Sequence, residues 1–161
     1  MDLIKKNCVV FVSQTKRIGY AVFEHEELIH FGVKSLSEHR NSSTAGVAEA
    51  IVRDLDNRFS PAVIIINRLS GQQIKSFTQK KVILGLIHAA RTRSIQILPR
   101  DFRVAKTVLC PRDCISNRTA FSKVAEMFPE LLSYLNSRNR SHREYYGSLL
   151  TAVALGIASL K

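Results

Sequence analysis

The residues of this chain with the most chemical promise are its cations. Lys and Arg number 24 against 13 Asp and Glu, a formal charge of +11. The cations recur in groups along the chain: Lys16 and Arg17; Arg68, Lys75, Lys80 and Lys81; Arg100, Arg103 and Lys106; Arg138, Arg140 and Arg143. Charge spread in this way suits a folded surface that follows phosphates better than a disordered basic arm. A solvated helix face accounts for any one group taken alone. Two apolar runs, Val9-Val10-Phe11-Val12 and Ala62-Val63-Ile64-Ile65-Ile66, each end in one small neutral polar residue, Ser13 and Asn67, and Thr151 interrupts the apolar C-terminal segment. Such residues ordinarily hydrogen-bond nearby backbone, and a helical Thr bonds the carbonyl one turn back. Phe77, Phe102 and Tyr20 have the rings to stack on exposed bases, although core packing is the commoner use of an aromatic side chain.

A chain of 161 residues with 45% hydrophobic content supports one domain, residues 1–161, around one full core. The apolar run after Lys6 is broken at Ser13 and Gln14, too soon for a signal peptide or a membrane span, so a cytoplasmic protein is expected. No segment pairs a dense Lys/Arg face with a Trp/Phe-rich one, which argues against a membrane-surface role. Cys8, Cys110 and Cys114 make an odd number without an export signal and are expected to be reduced thiols. Cys110 and Cys114 have half the spacing of a zinc site, but no second pair of ligands lies near.

The elements that must position these groups follow from periodicity. Residues 8–13, 18–24 and 27–33 predict three strands with short connections, an antiparallel meander. Thr44 predicts the cap of a helix through Phe59, along which Val47, Ala50, Ile51, Leu55 and Phe59 fall at helical spacing. A strand from Pro61 to Asn67, all Val and Ile in its centre, reads as parallel and covered on both faces. A long helix over about 72–93 follows, then a strand over 94–98 stopping at Pro99, a short helix over 100–108, and a helix capped by Asn117 running through Phe128. A short segment from Pro129 to Leu135, a basic loop over 136–143 and a helix over 144–160, apolar nearly all round and so buried, complete the chain.

In this order, Thr15-Lys16-Arg17-Ile18-Gly19-Tyr20-Ala21-Val22 in the first hairpin resembles the RuvC-like Holliday-junction resolvase branch of the ribonuclease H-like superfamily. So do Pro99-Arg100-Asp101-Phe102-Arg103-Val104-Ala105-Lys106, Asn117-Arg118 before Val124-Ala125-Glu126-Met127-Phe128-Pro129-Glu130-Leu131, and the closing Ala152-Val153-Ala154-Leu155-Gly156-Ile157-Ala158. The resemblance implies an α/β fold: a mixed five-stranded sheet, three antiparallel strands then two parallel, with helices on both faces. It also implies a two-metal site. In that family an Asp ends the first strand, a Glu ends the fourth, and one or two acids, sometimes with a His, open the last helix to hold two Mg²⁺. The matching positions are Ser13 (Val12 if the hairpin is aligned without a gap), Asn67 and Thr151, and none is a carboxylate.

The resemblance and the charge together imply a binder of branched or structured nucleic acid that does not cleave, with branched DNA favoured and RNA possible, acting as a homodimer or as a subunit of a larger assembly. No metal and no cofactor are expected on that reading. The alternative is a structure-selective endonuclease using Mg²⁺ or Mn²⁺ held by Asp101, Glu144 or a partner's residues. A pure protein-interaction module is the third reading, with the helix from Gln72 as its interface.

Overall fold

The computed structural model of the chain describes residues 6–14, 16–36, 43–68, 77–112, 116–136 and 139–161, without the side chains of Arg140 and Arg143. The elements run β1 (Cys8–Ser13), β2 (Arg17–Glu24), β3 (Glu27–Ser35), α1 (Thr44–Phe59), β4 (Val63–Asn67), α2 (Phe77–Thr92), β5 (Gln96–Arg100), α3 (Phe102–Leu109), α4 (Asn117–Met127), a 3-10 turn (Pro129–Leu131), α5 (Leu132–Leu135) and α6 (Arg140–Leu160). The strands form one sheet in the order β3-β2-β1-β4-β5. The meander β1-β2-β3 is antiparallel, whereas β4 runs parallel to both β1 and β5.

The alternation of side chains divides the core in two. Val10, Val12, Ala21, Phe23, Val63 and Ile65 pack under α6, α3 and α4. Val9, Phe11, Ile18, Val22, Ile64 and Ile66 pack under α1 and α2. Adjacent residues of a strand point to opposite faces, so each strand feeds both cores. The central strands are consequently apolar throughout, as a parallel strand buried on both sides requires.

Two glycines fix the height of α6 above the sheet. A Cβ on Gly19 would lie 2.6 Å from both Leu149 N and Ser148 O, and one on Gly156 would lie 2.7 Å from Cζ of the buried Phe23 ring. Helix α6 therefore rests backbone against backbone on β2 at Gly19, with Phe23 filling the notch at Gly156.

Element boundaries differ from the sequence expectations where caps decide them. Ser43, not Thr44, caps α1 by accepting the Gly46 N–H at 3.0 Å, and Ser116, not Asn117, caps α4. Strand β4 starts at Val63, two residues beyond Pro61. Strand β5 runs through Pro99 to Arg100; it is an edge strand, where a missing N–H need not cost a ladder bond. Asn139 caps α6 by accepting from the Ser141 and His142 N–H groups, so the last helix begins four residues earlier than Glu144 and absorbs part of the expected basic loop. The expected start of the second helix, Gln72 to Ser76, lies outside the described residues, as does Cys114. Among the described residues no helix is long and apolar enough to cross a membrane.

Candidate nucleic-acid interface

Strands β1, β4 and β5 point the same way, so their carboxyl ends share one edge of the sheet, where open α/β sheets usually bind ligands. Strand β2, running the other way, starts at that edge with Arg17. Its turn is closed by the Gln14 N–H donating to the Arg17 carbonyl at 2.8 Å. The cations that precede and follow these strands are thereby gathered: Lys16, Arg17, Arg68, Arg100 and Arg103. The Arg68 N–H donates to the Arg100 carbonyl at 2.7 Å, tying the ends of β4 and β5 together. Helix α2 brings Lys80 and Lys81 to the same edge on the opposite face, because Gln79 Nε2 donates to the Ser13 carbonyl at 3.0 Å.

Helix α6 covers the other face of this edge. The Arg17 guanidinium lies over the Tyr145 ring at 4.7 Å, Gly147 faces the Gln14 side chain, and Ser148 sits on Gly19. Below these contacts α6 descends along β2 to Phe23. Its first turn, with Arg140 and Arg143, therefore projects past the sheet edge. The remaining predicted cations are less central. Lys106 lies farther along α3, where its Nζ donates to Asn117 Oδ1 at 3.2 Å and lies 5.4 Å from the Phe102 ring centroid. Lys75 and Arg138 lie outside the described residues.

The register fixes which strand-end residues share a face. Val12 pairs with Gly19, Asn67 pairs with Arg100, and the Phe11 to Ile66 pairing puts Asn67 next to Val12 in the following row. On the α6 face this row reads Gly19, Val12, Asn67, Arg100, with Ser148 above its first member. Gly19 and Asn67 are thus about two strand spacings, roughly 10 Å, apart, and Ser148 stands over the first of them. Ser13 falls on the opposite face, toward Gln79 and α2. This corrects the choice of Ser13 as the position matching a strand-end ligand: the ungapped alternative, Val12, is the one that faces α6. Its side chain is hydrocarbon and 5% exposed.

The polar groups of this row are unevenly satisfied. Thr151 Oγ1 donates to the Gly147 carbonyl at 2.8 Å, the ordinary helical use of Thr. Asn67 Oδ1 and Ser148 Oγ are buried without a partner, as is His142 Nδ1 one and a half turns earlier on α6. Sequence reasoning missed Ser148. Its signal was the three-residue spacing to Thr151, which puts both on one side of the helix.

Both candidate acids are differently placed. Asp101 caps α3: Oδ1 accepts the Arg103 N–H at 2.8 Å, and Oδ2 accepts from the Arg103 guanidinium at 3.2 Å. These bonds to Arg103, with Arg68 adding its charge, hold the carboxyl below its usual pKa. Glu144 is exposed on α6, one turn before Ser148. Of the aromatic candidates, Tyr20 is core, 5% exposed with its hydroxyl 3.1 Å from His30 Nε2. Phe102 stacks on Phe121, whereas Phe77 is 72% exposed beneath the Lys81 ammonium at 4.6 Å.

A mixed sheet in the order 3-2-1-4-5, crossed by a C-terminal helix at the carboxyl edge of its parallel strands, defines the ribonuclease H-like fold in its RuvC form. The chain is similar to Thermus thermophilus RuvC, at 16% identity and TM-score 0.67 over 93% of this chain and 91% of that one. The same enzyme in complex with a Holliday junction substrate gives 16% identity and TM-score 0.65 over 94% and 91%. The yeast mitochondrial Holliday junction resolvase gives 16% identity and TM-score 0.60 over 96% and 79%. No protein-family model and no curated protein matches the sequence.

The fold family implies a divalent metal pair, and the residues of this edge do not fit one. Mg²⁺ takes hard anionic oxygens. The row offers a valine, a carboxamide and two hydroxyls, flanked by guanidinium groups. Among the described residues no cluster of His, Cys, Asp and Glu is suited to a metal ion.

Proposed function

We propose that this chain binds branched nucleic acid, with four-way DNA junctions as its preferred class, and does not cleave it. One observation carries the reading: the carboxyl edge of the sheet gathers Lys16, Arg17, Arg68, Arg100 and Arg103 around a row without a carboxylate. A nuclease of this fold needs its acids to hold metals, and those acids repel phosphate when the metals are absent. Their replacement by neutral groups removes both the catalyst and the repulsion. The similarity to Thermus thermophilus RuvC in complex with a Holliday junction substrate supports branched DNA as the ligand. The bonds that tie Asp101 to Arg103 and to the start of α3 support a structural role for that acid rather than a metal-binding one. Assembly as a homodimer or as a subunit of a nucleoprotein complex belongs to the same proposal, since two-fold junction arms invite two copies.

The test is a combined mobility-shift and cleavage assay. The ligands are a four-way junction, matched duplex, single-stranded DNA and structured RNA, each with Mg²⁺, Mn²⁺ or chelator at two salt concentrations. The expected result is salt-sensitive binding strongest for the junction, with every strand intact. Metal-dependent nicking that vanishes in an Asp101→Asn or Glu144→Gln variant would replace this reading with that of a structure-selective endonuclease.

A further inference from the structure

Buried polar groups in native proteins nearly always have partners, so a buried atom without one asks what completes it. Among the described residues three side-chain atoms are in this position, Asn67 Oδ1, Ser148 Oγ and His142 Nδ1. All belong to α6 or to the sheet face it covers. Ser148 is completely buried, and Asn67 is joined in register to Arg100. On the same face Arg17 lies one alternation from Gly19, on which Ser148 rests. The row thus presents one neutral group able to donate a hydrogen bond, the half-buried Asn67 carboxamide, with Arg100 beside it in register and Arg17 at the far end, over a hydrocarbon floor at Val12. The Arg100 guanidinium donates to the Pro99 carbonyl at 3.3 Å and is exposed, free to turn to a ligand.

From this juxtaposition we infer that the row seats one backbone phosphate of the bound strand directly, with no divalent cation between protein and ligand; the inference rests on the nucleic-acid-binding reading above. A half-turn of the Asn67 carboxamide exchanges Oδ1 for Nδ2 without changing its shape, and the amide then donates to a phosphate oxygen. Ser148, sealed between α6 and β2, takes no part. Arg100 and Arg17 supply the charge that two metal ions supply in an enzyme of this fold, and the guanidinium fork matches phosphate geometry. A divalent cation is disfavoured in the same place, because the flanking guanidinium groups repel it and no anionic oxygen compensates its lost water. Asp101, the neighbouring acid, already accepts bonds from Arg103 and adds little repulsion.

The test is fluorescence anisotropy of a labelled four-way junction with wild-type protein, Asn67→Asp and Arg100→Gln, each in chelator and in Mg²⁺ at matched ionic strength. Thermal melts verify that the variants are folded. Wild-type affinity is expected to be the same in both buffers. Asn67→Asp, nearly isosteric, is expected to bind about tenfold more weakly in chelator, as a charge facing phosphate should, and to regain part of the loss in Mg²⁺. Arg100→Gln is expected to lower the salt slope by about one. Wild-type binding that requires Mg²⁺, or Asn67→Asp binding equal to wild type in chelator, overturns the direct phosphate seat while leaving nucleic-acid binding intact. Absence of any wild-type binding to the junction overturns the underlying reading instead. If Asn67→Asp melts as unfolded, Arg100→Gln decides: its side chain is exposed, and an unchanged salt slope removes it from the seat.

Discussion

Ser13 and Asn67 end neighbouring strands, yet they look into opposite sides of the sheet, and the two sides are completed differently. Toward α1 and α2 the packing is apolar and its polar groups are matched: Gln79 bonds the Ser13 carbonyl, Tyr20 meets His30, and Arg93 lies 3.8 Å from Asp56. Toward α6 the packing is equally dense where hydrocarbon meets hydrocarbon, but among the described residues three buried polar atoms, Asn67 Oδ1, Ser148 Oγ and His142 Nδ1, are left without partners. Each such group costs about 1–3 kcal/mol unless a water or a ligand completes it. Their confinement to α6 and the sheet face it covers sets this side of the molecule apart from the other.

The contrast is most sharply broken at the seat of α6. Gly19→Ala would push a methyl into the backbone of Ser148 and Leu149, neither of which can rotate away. The expected cost is about 3 kcal/mol. At roughly 2–4 °C per kcal/mol for a chain of this size, Tm should fall by roughly 6–12 °C. Ser13→Ala, at the same level of the opposite face, loses only a long contact of its hydroxyl to the Gln14 carbonyl at 3.4 Å. It should change stability by no more than about 1 kcal/mol. Equal melting shifts for the two would show that α6 does not rest on β2 as described.

A second comparison uses gain of metal binding. Val12→Asp, Asn67→Glu and Thr151→Asp together place three carboxylates on the α6 face, whereas Ser13→Asp, Asn67→Glu and Thr151→Asp divide them between faces. Titration calorimetry is expected to detect Mn²⁺ binding by the first set and at least about tenfold weaker binding by the second. If the Ser13 set binds as well, the assignment of Val12 to the α6 face is wrong.

The order of the strands and their alternation were legible because apolar runs such as Val9 to Val12 and Ala62 to Ile66 can be little else. The gathering of Arg17, Arg68 and Arg100 was legible for the same reason, since each follows or precedes a strand whose direction the topology sets. The facing of Ser13 was not. Choosing between Ser13 and Val12 needs the pairing register, and two apolar strands with no polar face give no marker of it. The start of α6 was hidden because Asn139 caps through a side chain in a stretch so polar that it reads as loop. Ser148 was overlooked for the opposite reason: in a helix buried almost all round, a small hydroxyl looks like packing until its missing partner is seen.

The α1 and α2 face offers a smaller effect, through His30. Burial, with Arg58 and Lys34 nearby, holds the imidazole pKa below 6.5 against the weaker opposing pull of Asp54. The folded protein therefore resists protonating His30, while the unfolded chain takes up a proton as pH falls through 6.5. Stability from this residue is complete above that value and declines as pH falls from there toward the lower folded pKa. Melting curves should shift to lower temperature between about pH 7.5 and about pH 5, and His30→Gln should remove part of that slope. An unchanged slope would remove His30 from the pH response and leave its contact with Tyr20 as packing alone.

Ser148→Ala has the smallest expected effect on stability and the most to say about the α6 face. Substituting Ala deletes a buried hydroxyl that lacks a partner, so the free protein should be unharmed or gain up to about 1 kcal/mol, a rise in Tm of roughly 2–4 °C at most. Because the hydroxyl is sealed between α6 and β2, junction binding should stay unchanged while melting holds or improves. A loss of stability on substitution would mean that Ser148 finds a partner within the protein and that the two faces of the sheet are completed alike.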